Sequence, residues 1–276
     1  MKLAATAGAL LLLALASPAT AVDNGAPDRD RHPYVGVLGY DEDGAGPKQP
    51  GLLCSGSVIS TRHFLTAAHC IPVAPPDSEW VVSVEPGSPS APVVVPGIFP
   101  ENFPHAFAVP ARRGGAAITH PDFDPDRRAH DVAVIRFPKG TFADVEPVEL
   151  PEAGLLDRLH RRHGLHRTSF RLVGYGADPE FGDGAPVFVV EGYRQTATAP
   201  FQALTRRQLK LDGDAAATRR GSLCLGDSGS PQLVGDSDVA ASLFSEHAPA
   251  CDGTLLSQRL DTRSERRFLA RFVDLD

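Results

Sequence analysis

The stretch Cys224-Leu225-Gly226-Asp227-Ser228-Gly229-Ser230-Pro231 carries residue types that could do chemistry. Two glycines flank an Asp-Ser pair, and a residue without a Cβ lets the backbone turn sharply enough to expose one hydroxyl. A serine hydroxyl is a poor nucleophile until a neighbouring base takes its proton. If Ser228 is a nucleophile, a histidine and a carboxylate must come from elsewhere in the chain. The N–H groups of Gly226 and Ser228 could then converge on a developing oxyanion. The same residue types also build ordinary surface turns, so the stretch gains its weight from two others. In Leu65-Thr66-Ala67-Ala68-His69-Cys70, His69 is the candidate general base, because imidazole titrates near neutrality. In His130-Asp131-Val132-Ala133-Val134-Ile135, Asp131 directly precedes an apolar strand and is the candidate carboxylate that fixes the imidazole tautomer. Asp122, Asp124 and Asp126 do not stand before an apolar strand, and His130 is read as structural.

These residues must be positioned by many short strands. β-Rich runs with turn signals between them cover Pro33–Leu38, Leu53–Ile59, His63–Thr66, Trp80–Val84, Ala91–Val95 and Val132–Phe137. Further runs cover Arg171–Gly176, Pro186–Val190 and Gln208–Leu211. Gly44 to Gly51 reads as a polar hairpin tip, and the prolines from Pro86 to Pro110 suggest edge strands and an extended surface loop. Glu146 to Pro151 reads as a crossover between halves. Ser264 to Phe272 reads as a terminal helix capped by Thr262 or Ser264, with Phe268, Leu269 and Phe272 on one face. The expected fold class is all-β.

The three motifs, in the order His, Asp, Ser, resemble the chymotrypsin/trypsin-like serine proteases, and the chain is read as a bacterial-type secreted member. Cys54-Ser55-Gly56-Ser57-Val58 and Arg171-Leu172-Val173-Gly174-Tyr175-Gly176 resemble further strands of that family, with Tyr175 where tryptophan is usual. The resemblance implies two packed six-stranded antiparallel β-barrels, spanning 22–145 and 146–276, with a short C-terminal helix. It implies a Ser228–His69–Asp131 triad acting through an acyl-enzyme, with Gly226 and Ser228 as the oxyanion hole. Of the three connectivities open to four cysteines, it implies Cys54–Cys70 and Cys224–Cys251. It places Ser222 at the base of the specificity pocket, Phe244 as its aromatic wall, Leu243 where a small serine is usual, and Leu255 or Leu256 where glycine is usual. The neutral Ser222 argues against cleavage after Lys or Arg. With Ser245 beside them, the bulky residues imply a small or medium apolar side chain before the cut. Ser230 replaces a second glycine, and its Cβ needs a compatible backbone.

Residues 1–21 read as an export signal: Lys2, an apolar run through Leu10-Leu11-Leu12-Leu13-Ala14-Leu15, and Ala19-Thr20-Ala21 as a cleavage site. Cleavage there would expose Val22-Asp23-Asn24-Gly25, a degraded form of the family's active start, whose amine pairs with Asp227. Asp23 is a departure from that start. The expectation is therefore a secreted, extracellular, monomeric enzyme. Its partners would be a peptide or protein substrate and a protein inhibitor, with no membrane contact after signal cleavage.

The 276 residues, 42% of them hydrophobic, can bury a sizeable core, and the formal charge of −7 argues against non-specific nucleic-acid or anionic-membrane binding. No calcium loop, Gly-rich nucleotide loop or Cys-x-x-Cys pair is present, so no cofactor or metal is expected. His160, His163 and His166, among Arg158, Arg161, Arg162 and Arg167, read as a solvated basic loop or helix. Two other readings use the same residues. One is a non-catalytic protease homologue serving as a binding module; the other is an esterase, since acyl transfer to water is the same chemistry. A Gly-x-Ser-x-Gly elbow is absent at Ser228.

Overall fold

The computed structural model describes residues 22, 24–41, 54–71, 79–87, 93–96, 112–180, 187–190, 192–246 and 251–275. The expected export signal at 1–21, the expected hairpin tip at Gly44–Gly51 and most of the proline-rich stretch lie outside them. Among the described residues no helix is long and apolar enough to cross a membrane.

Seventeen strands are described. The first nine are β1 (Ala26–Pro27), β2 (Val35–Asp41), β3 (Cys54–Ser60), β4 (His63–Thr66), β5 (Glu79–Ser83), β6 (Val93–Pro96), β7 (Arg112–Arg113), β8 (Ala116–Thr119) and β9 (Ala133–Arg136). The rest are β10 (Ser169–Gly174), β11 (Asp178–Glu180), β12 (Val187–Val190), β13 (Gln195–Leu204), β14 (Gln208–Asp212), β15 (Pro231–Val234), β16 (Ala240–Glu246) and β17 (Thr254–Arg259). Three helices, α1 (Leu155–Arg161), α2 (Ala215–Thr218) and α3 (Arg263–Leu269), complete the list.

The C-terminal sheet runs β1-β13-β10-β15-β16-β17-β14, and β14 returns to pair with β13. Six strands thus close into a barrel, with β1 added on its edge. Closure removes the exposed edges that an open sheet must otherwise protect. The N-terminal sheet runs β7-β5-β2-β3-β4-β9-β8 and stays a curled half-barrel, with no pairing joining its ends among the described residues. The expected all-β two-barrel fold is what the chain adopts, with one closed barrel rather than two. A small third sheet, β11-β12-β6, joins strands from both halves.

Side-chain alternation decides which core each strand serves. Phe170, Leu172, Leu209, Leu211 and Phe244 fill the closed barrel, together with Leu156 and Leu165. The His/Arg-rich segment is therefore more than a solvated face. It folds as α1 and a following 3-10 turn, leaves Arg161, Arg162, His163 and Arg167 exposed, and buries Leu156 and Leu165 in the barrel core. The other core joins the N-terminal sheet to the outer face of the barrel: Val58, Phe64, Val134 and Ile135 meet Tyr175, Leu233, Leu243 and Phe268. Phe268 and Leu269 dock α3 there, as the shared apolar face predicts. Thr262 takes the N-cap position without a side-chain cap bond.

A buried polar cluster crosses the same seam. Arg194, fully buried, donates Nε–H to Asp28 at 2.8 Å and Nη1–H to the carbonyls of Val35 and Val84 at 3.0 and 2.9 Å. Asp28 also faces His32 Nδ1 at 2.5 Å. Burial works to raise the Asp28 carboxyl, but the hydrogen bonds and charges of His32 and Arg194 hold it below its ordinary value. Tyr175 donates its hydroxyl to the Glu85 carbonyl at 2.7 Å, and burial pushes its pKa up to about 12.

Candidate active site

His69 sits in a one-turn 3-10 helix, Ala68–Cys70, directly after β4. The Cys54–Cys70 disulfide ties that turn back to β3. Asp131 stands just before β9, the strand that pairs with β4. Adjacent strands therefore deliver the two side chains to one end of the sheet. His69 donates its backbone N–H to Asp131 Oδ1 at 2.8 Å, and its Nδ1 lies 2.7 Å from Oδ2. Asp131 is fully buried, while the His69 side chain keeps 18% exposure. A carboxylate can only accept, so the proton on the ring belongs to Nδ1, and Nε2 is left with its lone pair to receive a proton.

The closed barrel supplies the rest of the carboxylate's shell. Ser245, near the end of β16, donates its hydroxyl to Asp131 Oδ2. Gln258 on β17 accepts from the Asp131 backbone N–H at 3.3 Å. Burial works to raise the Asp131 carboxyl, but the His69 side-chain bond and charge, then Ser245 and the His69 N–H, outweigh it and hold it below its ordinary value.

Ser228 is half-buried in the turn between Cys224 and β15. Its carbonyl accepts from Ser55 N–H at 2.8 Å, and Cys70 Sγ lies 4.0 Å from the same oxygen. The serine turn is thus docked on β3 and beside the disulfide that ties the His69 turn to it. Gly229 makes the docking close enough. It has φ of +85°, and a Cβ there would stand 2.4 Å from Thr66 Oγ1 and 2.5 Å from the Ser55 carbonyl. Gly226 also has positive φ, at +87°, and its carbonyl is held by the Ser55 hydroxyl at 2.9 Å. Among the described residues, the N–H groups of Gly226 and Ser228 have no hydrogen-bond partner. Ser230 avoids positive φ, so its Cβ fits.

The Asp227 side chain turns inward, fully buried, and accepts from Gly176 N–H at 2.8 Å and Cys224 N–H at 3.0 Å. Gly174 and Gly176 make room for it: a Cβ at either would lie 2.0 or 2.3 Å from its carboxylate oxygens. Val22 is fully buried within the closed-barrel core, and its N–H lies 3.5 Å from Gln195 Oε1.

The expected specificity-pocket residues are placed differently from one another. Ser222 is fully buried, and its hydroxyl donates to the Cys251 carbonyl at 2.6 Å. The Cys224–Cys251 disulfide is formed beside it. Leu255 is 1% exposed and packs in the barrel core, where its Cγ would lie 2.7 Å from a Cβ on Gly213. Leu243 and Phe244 also belong to cores, on opposite faces of β16. They are therefore not the walls that the motif alignment implied. Ser245, two residues on from Leu243, is the serine of this strand whose hydroxyl meets Asp131, and the half of β16 before it is buried on both faces.

One cluster outside the triad has metal-ligand residue types. His120, His130 and Glu265 bring one ligand atom each to within 4.8 Å of one another. Their atoms are already bonded: His120 Nδ1 accepts from Asp122 N–H at 3.2 Å, and His130 Nδ1 lies 2.6 Å from Glu265 Oε1. With Nδ1 accepting, the His120 proton sits on Nε2, toward Ser264 Oγ at 3.3 Å, so that nitrogen has no lone pair for a metal. The cluster ties α3 to the loop before Asp131, in keeping with a structural His130.

Sequence reasoning missed Gln258, which no motif marks, and the holding role of Ser55, which lies inside a recognised motif at an unassigned position.

A closed barrel packed on a half-barrel, with a histidine, a carboxylate and a serine turn at the seam, is the architecture of chymotrypsin-like proteins. Among solved structures the chain is similar to HL collagenase, with a TM-score of 0.62 and 18% identity, covering 92% of this chain and 99% of that one. The model of the trypsin family matches residues 24–254, and the chain belongs to that family. It is 26% identical over 223 residues to CLIP domain-containing serine protease HP8 of Bombyx mori, covering 76% of this chain and 56% of that protein. It is 29% identical over 220 residues to Serine protease ea of Drosophila melanogaster, covering 75% and 53%. Serine protease 57 of Rattus norvegicus is 26% identical over 189 residues, covering 66% and 60%. The chain thus spans little more than half the length of these relatives. They come from insects and a mammal, and they do not support the expected bacterial subtype.

Proposed function

We propose that the chain is a secreted serine endopeptidase in which residues 1–21 direct export and the halves 22–145 and 146–276 form the active site between them. The carrying observation is the 2.7 Å approach of His69 Nδ1 to the buried Asp131 carboxylate, beside a serine turn docked on β3 and the disulfide that ties the His69 turn to that strand. Ser228 Oγ attacks the substrate carbonyl while its proton passes to His69 Nε2. Asp131 faces the imidazolium that forms. The N–H groups of Gly226 and Ser228 take the oxyanion. His69 then gives the proton to the leaving amine, and water, deprotonated by the same ring, releases the acyl group from Ser228.

Signal cleavage after Ala21 would free the Val22 amine to reach Asp227, and the burial of Val22 supports a docked start. N-terminal sequencing of secreted protein decides this: a start other than Val22 removes it. With Ser222 neutral and its hydroxyl committed, the pocket takes a small or medium apolar side chain, and its outer wall begins at Glu246 rather than Phe244. A peptide-library profile dominated by Lys or Arg would overturn that preference. The enzyme itself is tested with a fluorophosphonate probe, which should label wild type and leave Ser228→Ala unlabelled. Folded wild type that resists labelling would instead favour a non-catalytic binding module.

A further inference from the structure

On the far side of Gln258 from Asp131 lies a cavity of about 380 Å³. One wall is the loop before Asp131, through Arg127 and Arg128; the other is the β13–β14 hairpin, through Arg206 and Arg207. Among the described residues no acidic one lines it. Arg127 pairs with Asp124 at 3.6 Å, while Arg128, Arg206 and Arg207 have no carboxylate partner among the described residues. Arg128 Nη1 is buried with no hydrogen-bond partner, a costly condition for a charged donor. Four arginines, three of them exposed, thus line one cavity of a chain whose net charge is −7.

Both walls are fixed. The hairpin closes on itself through Gln208 N–H to Thr205 Oγ1 at 2.9 Å and Thr205 N–H to the Gln208 carbonyl at 2.9 Å. The Arg207 carbonyl accepts from Arg259 N–H at 2.9 Å and Gln258 Nε2 at 3.1 Å. Opposite, Asp124 and Ala129 exchange backbone bonds of 3.0 and 3.2 Å. The guanidiniums are thus carried on prepositioned backbone, and the planar N–H fork of arginine matches a tetrahedral oxyanion bidentately. Arg206 also lines a second cavity of about 690 Å³, where Arg263 and Arg266 of α3 extend the basic lining. In that cavity Asp157 and Asp261 are already bonded to Arg259.

We propose that Arg127, Arg128, Arg206 and Arg207 form a binding site for the tetrahedral oxyanion of a sulfate or phosphate ester, distinct from the serine site. A ligand bearing a second such group reaches the neighbouring cavity past Arg206. The test is calorimetric titration of the full chain with inorganic sulfate, inorganic phosphate, a sulfated disaccharide and its desulfated counterpart. Wild type should bind at least one anion saturably and leave the desulfated sugar unbound; the stronger of the sulfated sugar and phosphate identifies the source. Each of Arg128→Gln and Arg207→Gln should weaken binding about tenfold, the loss of one charge-assisted pair. Arg171→Gln, which removes a cation paired with Asp236 on another face, should bind as wild type. Arg128→Lys separates lost contact from lost fold, because it keeps the charge and should bind better than the glutamine variant. The proposal is overturned if wild type shows no saturable binding, or if Arg171→Gln weakens it as much as the pocket variants.

Discussion

Replacing Asp131 by asparagine should stop the proposed chemistry while leaving the fold, and the hydrogen bonds say why. Oδ1 faces a backbone N–H, from His69, and Oδ2 faces both His69 Nδ1 and the Ser245 hydroxyl. An asparagine has one oxygen and one NH2 for these two places. The backbone N–H of His69 cannot accept, so the amide oxygen must stay at the Oδ1 place and the NH2 must take the Oδ2 place. Ser245 can rotate to accept. His69 Nδ1 can accept only by giving up its proton, which moves to Nε2, the nitrogen that should receive the proton of Ser228. The wrong tautomer costs about 10⁴ in rate in the template serine protease, or about 5 kcal/mol of barrier. The assay is the second-order rate of fluorophosphonate labelling at Ser228 near pH 7.5, with thermal unfolding as the control for folding. A folded Asp131→Asn variant labelled within about tenfold of wild type would refute the tautomer argument and, with it, the role given to Asp131.

Arg194→Met should destabilise the chain by about 3–5 kcal/mol, because it strands the buried Asp28 carboxylate. Thermal unfolding should show recovery in the Asp28→Asn/Arg194→Met pair, and equal losses in both would count against the ion pair. Gly229→Ala should lose about 1–2 kcal/mol for its left-handed φ alone, with more from the contact with Thr66, and should label slowly. Wild-type labelling at unchanged stability would show that the serine turn is not held by this close docking. The carboxyls of Asp28 and Asp131 lie below their ordinary values in the folded chain, so the unfolded chain binds more protons at acid pH. Their stabilisation is complete above about pH 5 and is lost as pH falls through their folded pKa values. Denaturant midpoints should therefore drop on acidification, and less so in Asp28→Asn; an equal drop would remove Asp28 from the account.

The chemistry was legible where a short motif fixes both residue type and local backbone. His69 and Asp131 each stand beside a strand end that the β-rich runs announce, whereas Ser228 precedes β15, which no run announced and only the motif marked; the four cysteines pair as the family resemblance implied. Strand β13 went unread. Gln195–Leu204 carries Pro200 and three alanines in ten residues, a weak β signal, yet it pairs with β1, β10 and β14. The ladder tolerates Pro200 at its last β10 partner, Ser169, just before the bulge that lets β13 turn toward β14. The pocket walls were misread for a related reason. A run such as Ser242-Leu243-Phe244-Ser245 does not say which residue faces which side when both faces are buried, and a bulge between Phe244 and Glu246 shifts the register further. Arg194 and Asp28 lie 166 residues apart, and no local pattern could pair them.

The two sheets hold each other's functional groups. The half-barrel carries His69 and Asp131, but the barrel residues Ser245 and Gln258 hold Asp131. The barrel carries Ser228, but half-barrel Ser55 holds it, through one N–H on the Ser228 carbonyl and one hydroxyl on the Gly226 carbonyl. A relative shift of the sheets would therefore break bonds on both sides of the site at once, leaving buried polar groups without partners. Such a shift is also opposed by Arg194, whose guanidinium spans the N-terminal segment, the half-barrel and the barrel, and by Tyr175, which reaches from the barrel to the Glu85 carbonyl. Geometry at the serine is thus set by the whole seam rather than by the motif around it. This explains why three short motifs so far apart in sequence need so much unremarkable sequence between them.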